Sequence, residues 1–242
     1  MLNNKFFLLS VALFAVSSSA WVVRILPETS AVTIAFWRMF LASLMVFAIS
    51  YKSVLSFVPN KKMLLAGIFL GAHFALFFRS VQLTSIAEAA LLGTTAPIFT
   101  EIYSSVFQKR SPSRMIVLGL LVAFFGAAVL VSQGSFGETG VRGNLLAVLC
   151  SVAMALVLIV GKDIRKNFKV FDYTRWLFFF AACTLFIISF FVEASVFSVS
   201  KKELSWFLFL ALVPTMIGHN IFYYLIKTLN TTTIAAVPLG EF

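Results

Sequence analysis

Eight apolar stretches, residues 6–23, 32–51, 63–82, 85–107, 115–132, 143–161, 173–192 and 204–226, take up 161 of the 242 residues. Each is close to the roughly 20 residues that carry an α-helix across the hydrocarbon core of a bilayer. A ninth apolar segment, 232–242, has eleven residues, which covers about half of a core of about 30 Å. Only 70 residues remain for the N-terminus and the eight connections, so no connection holds a soluble domain. The runs do not alternate apolar with polar, as strands of a membrane barrel do; LFFFAACTLFIISFFV, ending at Val192, is one example. They are separated by turn-forming clusters: Pro27-Glu28-Thr29, Pro59-Asn60, Ser111-Pro112 and the glycines from Gly134 to Gly140. The expected fold class is an all-α integral membrane protein with eight full spans and part of a ninth.

Composition agrees with that pattern. Hydrophobic residues make up 61% of the chain and charged residues 12%, about half the usual share for a soluble domain. So little charge excludes an ordinary soluble enzyme, a disordered segment and a nucleic-acid module. The net charge of +10 comes from short basic clusters between the apolar runs, as in loops that obey the positive-inside rule. With the N-terminus inside, twelve lysines and arginines fall on the cytoplasmic side and five on the outer side. The expectation is a multi-pass protein of the cytoplasmic (inner) membrane with its N-terminus inside. Lys5, the run FFLLSVALFAV and Ser17-Ser18-Ser19-Ala20 also fit a cleavable leader, but the first run has a counterpart later in the chain, which favours a permanent span. Cys150 and Cys183 lie inside apolar runs without partner spacing and read as small packing residues.

The chain can be laid on itself in two related registers. At an offset of 137, Arg38 meets Arg175 and Leu8-Leu9 meets Leu145-Leu146. At an offset of 146, His73 meets His219, Leu83 meets Leu229, and Ala89-Ala90 meets Ala235-Ala236. The difference fits a longer connection around residues 193–202. Two repeats follow, 1–134 and 140–242, the second incomplete at its C-terminal end. A unit of five helices has an odd number of spans, so its copies sit in opposite orientations, an inverted five-plus-five arrangement with a site between the halves. Complete duplication implies ten spans.

The residues also carry a family resemblance. Phe36-Trp37-Arg38, then Ala89-Ala90-Leu91-Leu92 leading to Ala96-Pro97-Ile98-Phe99, then Gly119 and Gly126 follow in one order. Gly218-His219-Asn220 and Leu239-Gly240-Glu241 follow in the second half. In this order the chain resembles the ten-helix drug/metabolite transporter superfamily, specifically its EamA-like members, from residue 5 to residue 242. The resemblance implies a secondary transporter whose relatives export amino acids and other metabolites. Two departures stand out: Lys109-Arg110 occupies the place where the family commonly carries Gly-Glu, and the tenth span lies outside this sequence.

Ionisable and polar groups inside apolar runs are the candidate site residues, because they are costly there and usually face a cavity or a partner. His73 and His219 belong to equivalent spans. His219, Asn220 and Tyr223 adjoin, with His219 and Tyr223 one turn apart on one face. Their role is either a wall for a polar solute or hydrogen bonding between helices. Arg38 and Arg175, near helix starts, either snorkel to headgroups or attract an anionic substrate. Pro97, Pro214 and Pro238 interrupt spans and expose backbone groups to a substrate. Glu88 and Glu101 are the carboxylates of the fourth span; Glu101 lies deeper and is the candidate for proton coupling. The substrate-binding set is thus His73, Pro97, His219, Asn220, Tyr223, Arg38 and Arg175. Trp21 suits the interfacial aromatic belt.

Two histidines without a third ligand make no metal site, and no nucleophile elbow, zincin or P-loop pattern occurs, so neither cofactor nor catalysis is expected. The leading reading is a secondary transporter, an exporter of a small organic metabolite such as an amino acid, working by alternating access. Its partners are that solute, the lipid bilayer and, in a homodimer, a second copy; nucleic acid is not among them. The alternative is a non-transporting membrane subunit, a lipid-handling partner or an inactive truncated transporter. The substrate, its direction and the coupling ion are not named by the sequence.

Overall fold

The computed structural model describes residues 2–51, 59–112, 114–132, 138–192 and 194–241. Among these the chain is all-helical. Six helices are long and apolar enough to cross a membrane: Asn4–Ile25, Ala31–Ile49, Lys61–Leu83, Gly140–Asn167, Val170–Phe191 and Lys201–Leu225. They correspond to the first, second, third, sixth, seventh and eighth apolar runs. The fifth run forms the helix Arg114–Ser132. This is a multi-pass membrane protein, and its outside shows it: Phe14, Phe125, Phe190 and Phe191 are exposed, which suits hydrocarbon as solvent and not water.

Local chemistry sets the helix starts. The Asn60 side chain accepts the Met63 N–H at 3.0 Å and opens the third span. Ser85 and Ser200 begin the fourth and eighth spans with capping boxes, closed by Glu88 and Glu203. Glu88 therefore serves its own helix terminus.

The fourth run is not one helix. It breaks into Ile86–Gly93 and Ala96–Phe107. The Thr94 and Thr95 hydroxyls donate to the carbonyls of Leu91 and Leu92 at 3.1 and 2.7 Å, which satisfies acceptors that a continuing helix would have used. Pro97 sits in the first turn of the second piece, where its missing N–H has no intrahelical partner to lose. It starts a helix here and does not kink one. The ninth run is divided too, into Thr231–Ala236 and a tighter turn, Val237–Glu241, containing Pro238. Pro214, by contrast, does not interrupt the eighth span. Ala211–His219 widens to a π-helix around it, and the span runs on through Asn220–Leu225.

Packing interlocks the N-terminal and C-terminal parts of the chain. The second and third spans lie against the seventh, the third also against the sixth, and the first against the π-helical stretch of the eighth. Small residues make this possible. A Cβ on Gly67 would lie 2.4 Å from the Cβ of Phe180, and one on Gly218 would lie 2.6 Å from Cγ1 of Val16. In a bilayer, such close approach supplies the attraction that the hydrophobic effect supplies in water. Gly67→Leu is therefore expected to push the third and seventh spans apart and destabilise the protein by about 1–3 kcal/mol. Thermal unfolding in detergent checks this: a lower midpoint is expected, and an unchanged one would contradict the close crossing.

Candidate functional site

Arg38 lies seven residues into the second span, about 10 Å from its start, and its side chain is fully buried. It does not snorkel. Its Nε donates to the Thr215 hydroxyl at 2.7 Å and its Nη1 to the Ser19 hydroxyl at 3.2 Å. Thr215 Oγ1 in turn donates to the Leu210 carbonyl at 2.8 Å, inside the π-helical stretch. The guanidinium carbon stands 4.2 Å from the centre of the Phe74 ring, a cation–π contact. Nη2 has no hydrogen-bond partner among the described residues. Nor does Arg38 form an ion pair with a described carboxylate.

Phe74 joins the two histidines. Its ring centre lies 4.9 Å from that of His73 and 5.3 Å from that of His219, edge-on to both. His73 Nδ1 is 2.9 Å from the Cys150 carbonyl, and a carbonyl only accepts, so this nitrogen carries the proton of that bond. His219 Nδ1 is buried and without a partner among the described residues.

Arg38, His73 and His219 line one cavity. Its volume is about 80 Å³, counted where the centre of a water molecule fits. Ser19 and Thr94 add hydroxyls; Val16, Phe74, Phe77, Met154, Leu158 and Ile234 make most of the rest. Both divided spans reach this wall, the fourth through Gly93, Thr94 and Ala96, the ninth through Ile234, Ala235 and Pro238. A second, more polar cleft of about 400 Å³ lies between Lys62, Lys162, Asp163, Thr100, Tyr103 and Thr232.

The other candidates lie elsewhere. Arg175 is fully buried beside Asp172, with Nη2 3.5 Å from Oδ1, and neither snorkels nor lines the cavity. Asn220 is buried, its amide nitrogen 3.5 Å from the Met216 sulfur, and it is not part of the wall. Tyr223 packs its ring 6.0 Å from His219 and 5.6 Å from Tyr173, also off the wall. Pro97 is buried next to the cavity without lining it. Glu101 is buried and accepts the Thr232 hydroxyl at 2.8 Å, linking the second piece of the fourth span to the start of the ninth. Among the described residues no cluster of three metal-ligating side chains occurs.

The EamA-like transporter family model matches residues 5–132 and 141–239. The chain belongs to the EamA-like transporter family. This EamA-like protein is 26% identical over 152 residues to the uncharacterized transporter YyaM of Bacillus subtilis (strain 168). It is 21% identical over 160 residues to an uncharacterized transporter of Helicobacter pylori (strain J99). These matches cover 60% and 64% of the chain and about half of each relative, 50% and 53%. A crystal structure of a protein with 16% identity superposes with a TM-score of 0.78 over 99% of this chain and 84% of the other, a likeness of fold.

Sequence reasoning missed Ser19, Phe74 and Thr215, which hold Arg38. Ser19 was hidden in a serine run that also fits a leader, and Phe74 among 29 phenylalanines. Thr215, beside Pro214 in an apolar run, was the visible signal. Thr215→Val in this EamA-like protein keeps the shape but removes the acceptor for a buried charged N–H. It is expected to destabilise the protein by about 1–3 kcal/mol. Chemical or thermal unfolding in detergent reads this; a midpoint equal to the parent's would contradict the bond.

Proposed function

We propose that this protein is a secondary transporter that exports a small organic metabolite, amino acids being one class, across the cytoplasmic membrane by alternating access. The observation that carries the reading is the cavity where both divided spans meet beside Arg38, His73 and His219. Divided helices beside a buried cavity are a feature of other carriers built from inverted repeats. The two repeats, 1–134 and 140–242, are related by rotation about an axis in the membrane plane. His73 and His219 are their equivalent residues, and each faces Phe74. The N-terminus lies inside.

Alternating access needs contacts that part on one side while others hold. At the end of the bundle that faces outward in this topology, the Thr29 hydroxyl donates to Glu203 at 2.5 Å. There, too, the Trp37 indole N–H donates to the Val196 carbonyl at 2.7 Å. At the other end, Lys62 and Lys166 pair with Asp163, and Lys162 donates to the Leu229 carbonyl. Glu101 is the proton-coupling group. As a carboxylate it accepts from Thr232; protonation removes part of that acceptor capacity and loosens the link between the fourth and ninth spans.

Proteoliposomes loaded one by one with labelled small organic metabolites, carboxylates and amino acids among them, test the proposal. At least one is expected to leave several-fold faster than from protein-free liposomes, with a further increase under a proton gradient. Glu101→Gln is expected to abolish the gradient response while downhill release continues. Release of none of them above background would contradict the export reading, and an unaltered gradient response in Glu101→Gln would contradict the coupling role.

A further inference from the structure

We infer that the central cavity binds a small organic monocarboxylate with an apolar body and discriminates against solutes carrying an ammonium group. The inference rests on the transport reading for the cavity's purpose, but its chemistry comes from the wall alone. Arg38 brings a permanent positive charge into an apolar layer, and Arg side chains do not deprotonate under ordinary conditions. A buried charge without an opposite charge is heavily penalised. Here the guanidinium is fully buried, forms no ion pair with a described carboxylate, and keeps Nη2 without a partner. Thr215, Ser19 and the Phe74 face satisfy the rest of the group and fix its plane. They supply dipoles and a quadrupole, but no counter-charge. A carboxylate on the solute supplies both the charge and an acceptor for Nη2. The second unpartnered nitrogen on the wall, His219 Nδ1, offers a further contact to the same group when it carries the proton.

The wall also says what the solute lacks. Among the described residues that line the cavity none is Asp or Glu. The two carboxylates of the fourth span are engaged elsewhere, Glu88 with Thr84 and Ser85 and Glu101 with Thr232. An ammonium group would enter beside Arg38 with no carboxylate to receive it, adding like charge to like. Apart from the polar groups named, the lining is aromatic and aliphatic, which suits a branched hydrocarbon body.

Isovalerate, valine and isobutylamine separate these features, since valine is isovalerate with an added ammonium and isobutylamine is valine without its carboxylate. Binding of each to the purified full chain in detergent is measured by calorimetry and by thermal shift at neutral pH, with inorganic phosphate as a fourth probe. Isovalerate is expected to bind at least tenfold more tightly than valine, with isobutylamine and phosphate giving no saturable signal. Arg38→Gln is expected to lose isovalerate binding. The ordering on the unmodified protein is decisive even where that variant fails to fold. Valine or isobutylamine binding as tightly as isovalerate, phosphate competing for its site, or no binding of isovalerate would overturn the inference. Because binding is read without transport, these outcomes are distinct from a failure of the exporter reading.

Discussion

Arg38 sets the terms for the centre of this protein. Its guanidinium is fully buried within the apolar layer, so its neighbours must hold a charge there. Thr215 reaches it from the eighth span, Ser19 from the first and Phe74 from the third. Three spans are thus tied to one cation on a fourth, and the π-helical widening around Pro214 places Thr215 in position. The same need leaves one nitrogen without a partner on a residue that lines a cavity with no acid in its described wall, which makes the cation a binding group as well as a tie.

The bilayer explains the rest of the architecture by the same logic. Every backbone group must find a partner within the protein, so helices end only where side chains or a cavity take over. Thr94 and Thr95 cap the carbonyls at the break in the fourth span, and Thr95 also meets Ser151 of the sixth at 2.8 Å. Close helix crossings at Gly67 and Gly218 bring the third span against the seventh and the eighth against the first. Rigid crossings around divided spans are what a carrier needs if some elements are to move and others are not.

The long spans were legible because hydrocarbon demands about 20 apolar residues and nothing else in a sequence mimics that. The break in the fourth span was not, because Thr-Thr-Ala-Pro reads as tolerable within a helix until capping by the threonines is seen. Arg38 and Arg175 near helix starts suggested snorkelling; both are buried, Arg175 beside Asp172 one turn away and Arg38 against Thr215, a partner distant in sequence that periodicity cannot reveal. His73 and His219 were found through the repeat register, and they share a cavity. Asn220 and Tyr223 were placed with His219 by helical spacing, yet they turn toward Met216 and Tyr173. Lys109 has a φ of 52°, a left-handed conformation that glycine adopts without steric cost and that spacing in the sequence does not announce.

The central claim is that a solute-accessible cavity lies at the break of the fourth span, inside the apolar layer. Thr94→Cys, in a chain with Cys150 and Cys183 replaced by Ala, tests it most directly, with Phe125→Cys as a lipid-facing comparison. A small, negatively charged methanethiosulfonate reagent is expected to label Thr94→Cys at least tenfold faster than Phe125→Cys in membranes. Equal, negligible labelling at both positions would contradict the account.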